Sequence, residues 1–300
     1  MESATLSTNR VDVHLGLLVL EDEPEVTKSL RFRLGESLHK ITAALPKSAD
    51  ERAPEFSITP TITATDNLES ANRAVVSGKC DILLADVMVY RSEDRTGDGM
   101  ASCLSLLRDI SSRQAFISVL GHSAYPDLAD EAIANGWMLA AVHKGARDSV
   151  QRVVDRSVET AVAMARYGAT LRLGLDEVRR AATETSAVDR QASLVAAREL
   201  FSCLEPPPNL PEDYRRALTA FVPMLHRHST VPSETFKLIP FSPEFAAVCE
   251  PLLIALASPL FVYETDAFPA FCQLDAMGYQ ITMALDFDEK EFADEESGAE

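Results

Sequence analysis

Residues 81–90 read DILLADVMVY, an apolar run broken by a single carboxylate, Asp86. Text of this kind is a strand buried on both faces. A carboxylate closing it needs a partner, because a buried charge without one is costly. Asp86 therefore either caps a helix or stands at the mouth of a site that uses its charge.

Reading outward, strand-like and helix-like segments alternate. LGLLVL (15–20) and SITPTITA (57–64) precede the central run, and FISVL (116–120) and MLAAV (138–142) follow it. Between them the spacing predicts helices over EVTKSLRFRLGESL (25–38), NLESANRAVVSGK (67–79), GMASCLSLLRDI (99–110), PDLADEAIANG (126–136) and DSVQRVVDRSVETAVAMAR (148–166). Short apolar strands alternating with helices indicate a doubly wound α/β fold around a five-stranded parallel sheet. Functional groups of such sheets gather beyond the carboxyl ends of the strands. Here those ends carry Glu21-Asp22, Asp86, Gly121-His122-Ser123 and His143-Lys144, so the fold brings partners to Asp86.

The 300 residues suggest two domains. Residues 1–14 are expected to be a tail, 15–167 the α/β domain, 168–287 a mainly helical domain with little strand, and 288–300 an acidic disordered tail. Twenty-eight basic against 46 acidic residues give a formal charge of −18, which disfavours DNA as a partner. The cysteines are scattered, and Cys80 and Cys103 lie beside apolar runs as core residues. The N-terminus lacks a signal-peptide layout, and PLLIALASPLFVY (251–263) is too short and proline-punctuated to span a bilayer. A cytoplasmic protein with no membrane segment is expected.

Three carboxylates, Glu21, Asp22 and Asp86, repel one another if brought together, and a hard divalent cation such as Mg²⁺ is their natural neutraliser. Lys144 suits a phosphoryl oxygen, and Ser123 offers a hydroxyl donor. A carboxylate nucleophile with these neighbours describes phosphoryl transfer to an aspartate.

These residues resemble the receiver domain of two-component response regulators. LLVLEDEP carries the acidic pair, DILLADVM the acceptor, GDGM the opening of the third helix, and SA (123–124) and HKG (143–145) the phosphoryl grip, with ATDNLESA (64–71) a weaker match. The likeness covers residues 15–165 or so and implies a flavodoxin-like fold. It implies that Asp86 accepts phosphate from a histidine kinase or phosphotransfer protein. Asp22, Asp86 and the Met88 backbone carbonyl would bind Mg²⁺, Glu21 would act through water, and Lys144 and Ser123 would hold the phosphoryl group. The output would be an unknown downstream protein switched by residues 168–300. Beyond its own phosphotransfer the protein would not be an enzyme.

Three departures stand out. The acid pair is Glu-Asp, Gly145 replaces the usual proline, and Ala141 stands where many receivers carry a switching aromatic, for which Tyr125 or Trp137 could substitute. The loop after Asp86 and the segment 39–56 are longer than usual. His122 and His143 are expected to turn away from the pocket, and the two histidines of HRH (226–228) to face different sides of a helix. The apolar face of the fifth helix packs on its own sheet, and a continuation into a stalk would permit a homodimer. Two rival readings are a degenerate receiver used for docking and a Mg²⁺-dependent aspartyl phosphohydrolase. The hydrolase needs a second acid at the position of Met88.

Overall fold

A computed structural model describes residues 10–39, 41–44, 55–92, 99–112, 117–183 and 186–205. The insertion at 45–54, Gly97-Asp98, the HRH motif, the strand expected near 279–287, the acidic tail, Cys249 and Cys272 lie outside the described residues.

Strands β1 (Arg10–Leu20), β3 (Glu55–Thr65), β4 (Ile82–Ala85), β7 (Ser118–Ser123) and β8 (Ala140–His143) form a parallel sheet in the order β3-β1-β4-β7-β8. This is the doubly wound, flavodoxin-like order, as the sequence implied. A short strand β2 (Thr42–Ala44), too brief to show a pattern, adds an antiparallel edge against Glu55–Ser57. β1 also begins earlier than the apolar text. Arg10 to His14 pair with Glu55 to Thr59, so part of the expected tail is strand, held by backbone pairing rather than by its composition.

The helices α1 (Pro24–Leu38), α2 (Leu68–Val76), α3 (Leu104–Ser112), α4 (Pro126–Ala134) and α5 (Ser149–Thr183) cover both faces. Leu18, Leu20, Leu83, Ala85 and Val119 pack with Ala71 and Val75 of α2, with Leu107 and Ile110 of α3, and with Ala129 and Ala132 of α4. Alternation sends Leu17, Val19, Leu84, Ser118 and Leu120 to the other face. There the Ser118 hydroxyl meets Met164 Sδ of α5 at 3.4 Å, and Arg33 of α1 donates to Gln151 of α5 at 2.6 Å. All residues of β4 and β7 are buried, which explains the unbroken apolar text of β4, while β7 buries Ser118, His122 and Ser123 among its apolar residues. Cys80 and Cys103 are core residues as expected, and burial pushes both thiols up, Cys103 to about 12.

Two expected helices differ. The third begins at Leu104, not Gly99, because Met100–Ser102 form a strand β6 paired with β5 (Met88–Tyr90). The loop after Asp86 thus doubles back as a hairpin. It is tied to the start of α2 by Tyr90 N–H to the Asp66 carbonyl at 3.2 Å and Glu69 N–H to the Arg91 carbonyl at 3.3 Å. The fifth helix does not stop at Arg166 but runs through Gly168 and Gly174 to Thr183. Glycine weakens a helix, yet Gly174 makes room. A Cβ there would lie 2.5 Å from the Phe201 ring of α6 (Ala187–Ser202). The chain divides into two compact units at Ala169–Thr170, inside α5.

Gly16 is required by close approach, since a Cβ there would sit 2.2 Å from the Lys79 carbonyl oxygen. In the same place the fully buried Asp81 accepts the Gly16 N–H through Oδ2 at 2.6 Å. Its Oδ1 has no hydrogen-bond partner among the described residues. Burial pushes this carboxyl up to about 7, offset only in part by the Gly16 bond. The folded state therefore holds a proton that the unfolded chain releases near pH 4. Stability from this group is full below that pH and is lost as pH rises towards 7. Between those limits the unfolding free energy of the wild type, followed by urea denaturation, is expected to fall relative to Asp81→Asn. The expected change is on the order of a few kcal/mol. Parallel pH profiles for the two proteins would contradict this.

Candidate functional site

Register builds the site. Leu20 pairs with Ala85 and Ala85 with Gly121, so Glu21, Asp86 and His122 follow in adjacent rows at the carboxyl edge. The Asp86 N–H to Leu20 carbonyl bond, 2.7 Å, holds Asp86 against β1. Asp22 comes next on the β1–α1 turn, Ser123 ends β7, and Lys144 follows β8.

The five predicted side chains converge. Lys144 Nζ lies 2.7 Å from Asp86 Oδ2, 2.7 Å from Glu21 Oε1 and 2.9 Å from Glu23 Oε1. Ser123 Oγ donates to Asp86 Oδ1 at 2.9 Å, while the Tyr125 N–H donates to Ser123 Oγ at 3.2 Å. The Lys144 N–H bonds the Ser123 carbonyl at 2.9 Å, so the two gripping residues are fixed to each other. The Met88 N–H lies 3.3 Å from Asp86 Oδ1. Tyr125 is 48% exposed, whereas Trp137 packs against the core.

Glu21, Asp22 and Asp86 each bring a carboxylate oxygen within 4.8 Å of the others. An all-oxygen set this tight fits a hard cation such as Mg²⁺. The titration shifts follow from the crowding. Burial, then the charges of Asp86 and Glu21, push the Asp22 carboxyl up. Burial also pushes Glu21 up, but His122, Lys144 and the Lys144 charge outweigh it and hold the carboxyl below its ordinary range. For Lys144, burial pushes down and loses to the three carboxylates, which hold the ammonium firmly charged.

Two residues at the site escaped the sequence reading. Glu23, the residue before α1, supplies a third carboxylate to Lys144 and donates its N–H to Glu21 Oε1 at 3.1 Å. His122 does not turn away from the pocket's residues. It is buried, with Nδ1 3.7 Å from Glu21 Oε2 and Nε2 3.3 Å from Ser149 Oγ. Strand parity carried the signal, because Glu21 and His122 share the sheet face of Leu17, Val19, Ser118 and Leu120. His143, by contrast, is exposed.

The parallel order β3-β1-β4-β7-β8, with acids ending its first and third strands in sequence, a serine its fourth and a lysine following its fifth, decides the architecture. The fold is a flavodoxin-like doubly wound sheet. No family profile matches the chain, and no curated protein matches it. Similar solved structures include a LuxR-family regulator and two RcsB structures. A LuxR-family DNA-binding response regulator from Staphylococcus aureus is 17% identical, spans 47% of this chain and 96% of its own, and gives a TM-score of 0.33. RcsB dimers bound to two parallel DNAs give 12%, 66%, 96% and 0.32. RcsB from Salmonella enterica serovar Typhimurium, bound to a promoter in the presence of phosphomimetic BeF₃⁻, gives 14%, 68%, 96% and 0.23. At these scores the likeness carries no functional weight. Among the described residues, no helix is long and apolar enough to cross a membrane.

Proposed function

We propose that the chain is a receiver-type signalling protein that accepts a phosphoryl group on Asp86 in a Mg²⁺-dependent reaction. The supporting observation is the grip on one carboxylate. Lys144 holds Asp86 Oδ2 at 2.7 Å and Ser123 holds Oδ1 at 2.9 Å, beside two further acids. A buried aspartate that served only as a helix cap would not need this set.

In the proposed reaction an oxygen of Asp86 attacks the phosphorus of a phosphodonor. The new O–P bond forms as the donor's O–P or N–P bond breaks, and the leaving group departs with its electron pair. Glu21, Asp22, Asp86 and the Met88 carbonyl would hold the cation, whose charge offsets that of the phosphoryl oxygens. Lys144 and Ser123, now on the carboxylate, would turn to the phosphoryl oxygens, drawing the ends of β7 and β8 with them. The donor would be a histidine kinase or phosphotransfer protein. The acidic balance of the chain favours a protein over DNA as the downstream partner.

Incubation with Mg²⁺ and acetyl phosphate is expected to add one phosphate per chain by intact mass. The label should be base-labile and absent when a chelator is present. Absence of label with every donor tried would leave the docking module. Rapid turnover of phosphoesters would favour the hydrolase, against which Met88 stands at the second-acid position.

A further inference from the structure

A lysine ammonium has three protons to donate, and those of Lys144 are all engaged. They go to Glu21 Oε1 at 2.7 Å, to Asp86 Oδ2 at 2.7 Å and to Glu23 Oε1 at 2.9 Å. The three acceptors differ in burial. The side chains of Glu21 and Asp86 are 1% and 5% exposed, whereas that of Glu23 is 59% exposed. A buried carboxylate deprived of its ammonium is left without a counter-charge, while an exposed one returns to water. The Glu23 bond is therefore the one of the three that breaks at the smallest cost.

The position of Glu23 in the chain does not explain this bond. It is the N-cap of α1, in extended backbone (φ −86°, ψ 109°), yet its side chain makes no capping hydrogen bond. The carboxylate turns instead across the sheet edge to Lys144. We infer that Glu23 is a positioning residue that acts through Lys144, a resident carboxylate on the ammonium proton that a phosphoryl oxygen would otherwise take. In the proposed transfer an incoming phosphoryl oxygen needs that ammonium before the O–P bond forms. Asp86 is then still a carboxylate and Glu21 is still buried, so the proton on Glu23 is the one within reach, and Glu23 swings into solvent as it is given up. Glu23 thus holds Lys144 in place beforehand and lowers the affinity for the phosphoryl group by competing with it. The inference rests on reading the pocket as a phosphoryl site, and the test separates the two.

The probe is beryllofluoride, a phosphoryl-shaped anion whose beryllium takes an electron pair from a carboxylate oxygen. It is titrated with Mg²⁺ into the full-length protein and followed by ¹⁹F NMR, which needs no turnover. Glu23→Gln removes the charge. Glu23→Asp keeps the charge but shortens the arm by one methylene, so the carboxylate falls back to cap α1 instead of reaching Lys144. Both variants are expected to bind beryllofluoride about 3- to 5-fold more tightly than wild type, the scale of one exposed ion pair. Labelling by acetyl phosphate should quicken by a similar factor. In a Lys144→Ala background, Glu23→Gln should change the affinity by less than about 2-fold, because its effect passes through the ammonium. Circular dichroism checks that each variant is folded, and the Gln and Asp comparison stands by itself if the Lys144 variants unfold. Gln and Asp variants of wild-type or weaker affinity overturn the competition. An Asp variant like wild type beside a tighter Gln variant overturns it as well, since that pattern marks repulsion of an anion rather than occupancy of Lys144. Equal gains with and without Lys144 do the same. A wild type that binds no beryllofluoride and takes no label overturns the phosphoryl reading itself, a result seen without any change at Glu23.

Discussion

Asp86→Asn is expected to lose acetyl-phosphate labelling below detection while leaving the fold at nearly wild-type stability. An amide oxygen does not displace a leaving group from phosphorus, so the loss is chemical rather than structural. The stability expectation comes from the charge balance of the pocket. Lys144 is shared by Glu21, Glu23 and Asp86, and Asp22 lies beside them. Neutralising Asp86 removes one charge-assisted bond but also relieves its repulsion of Asp22 and Glu21. Ser123 keeps an acceptor on the amide oxygen. The two effects oppose, and the urea midpoint is expected to shift by no more than about 1 kcal/mol in free energy. A label retained on the Asn variant would place the acceptor elsewhere. A variant that fails to fold would contradict the charge argument.

Lys144→Ala should behave in the opposite way, and here the structural cost dominates. The Glu21 and Asp86 side chains are only 1% and 5% exposed, and the ammonium compensates both. Removing the cation from a buried ion pair leaves charge without a counter-charge, a loss of roughly 3 kcal/mol. Labelling should slow by roughly 100-fold in variant that remains folded, the scale for losing one preorganised donor to a developing charge. The two substitutions are not additive. Combining Lys144→Ala with Asp86→Asn removes an acid that the missing ammonium no longer balances, so the double variant should recover more than half of the lost stability. A double variant as unstable as the sum of the singles would show that Lys144 acts through packing rather than charge.

The sequence carried the fold because β4 at the centre of the sheet is buried on both faces and wholly apolar, and DILLADV reads as strand on that ground. It carried the site as well. The residues that end strands of a doubly wound sheet meet at one edge, so the order Glu21-Asp22, Asp86, Ser123, Lys144 could be read without coordinates. The extension of β1 to Arg10, the edge strand β2 and the hairpin of Met88–Tyr90 with Met100–Ser102 were not legible. Their composition is ordinary, and backbone pairing with distant segments makes them strands. The uninterrupted α5 belongs with these, since Gly174 looks like a helix breaker until Phe201 is seen against it.

By itself, then, the sequence determined which residues reach the carboxyl edge, because periodicity and strand length are local properties of the chain. Tertiary structure alone decided how they are shared. Whether Lys144 serves one carboxylate or three, and whether His122 faces solvent or Glu21, depends on strand register and on the first turn of α5 closing over β7. The Lys144–Glu21 contact joins residues 123 positions apart in the chain, and no local pattern encodes it.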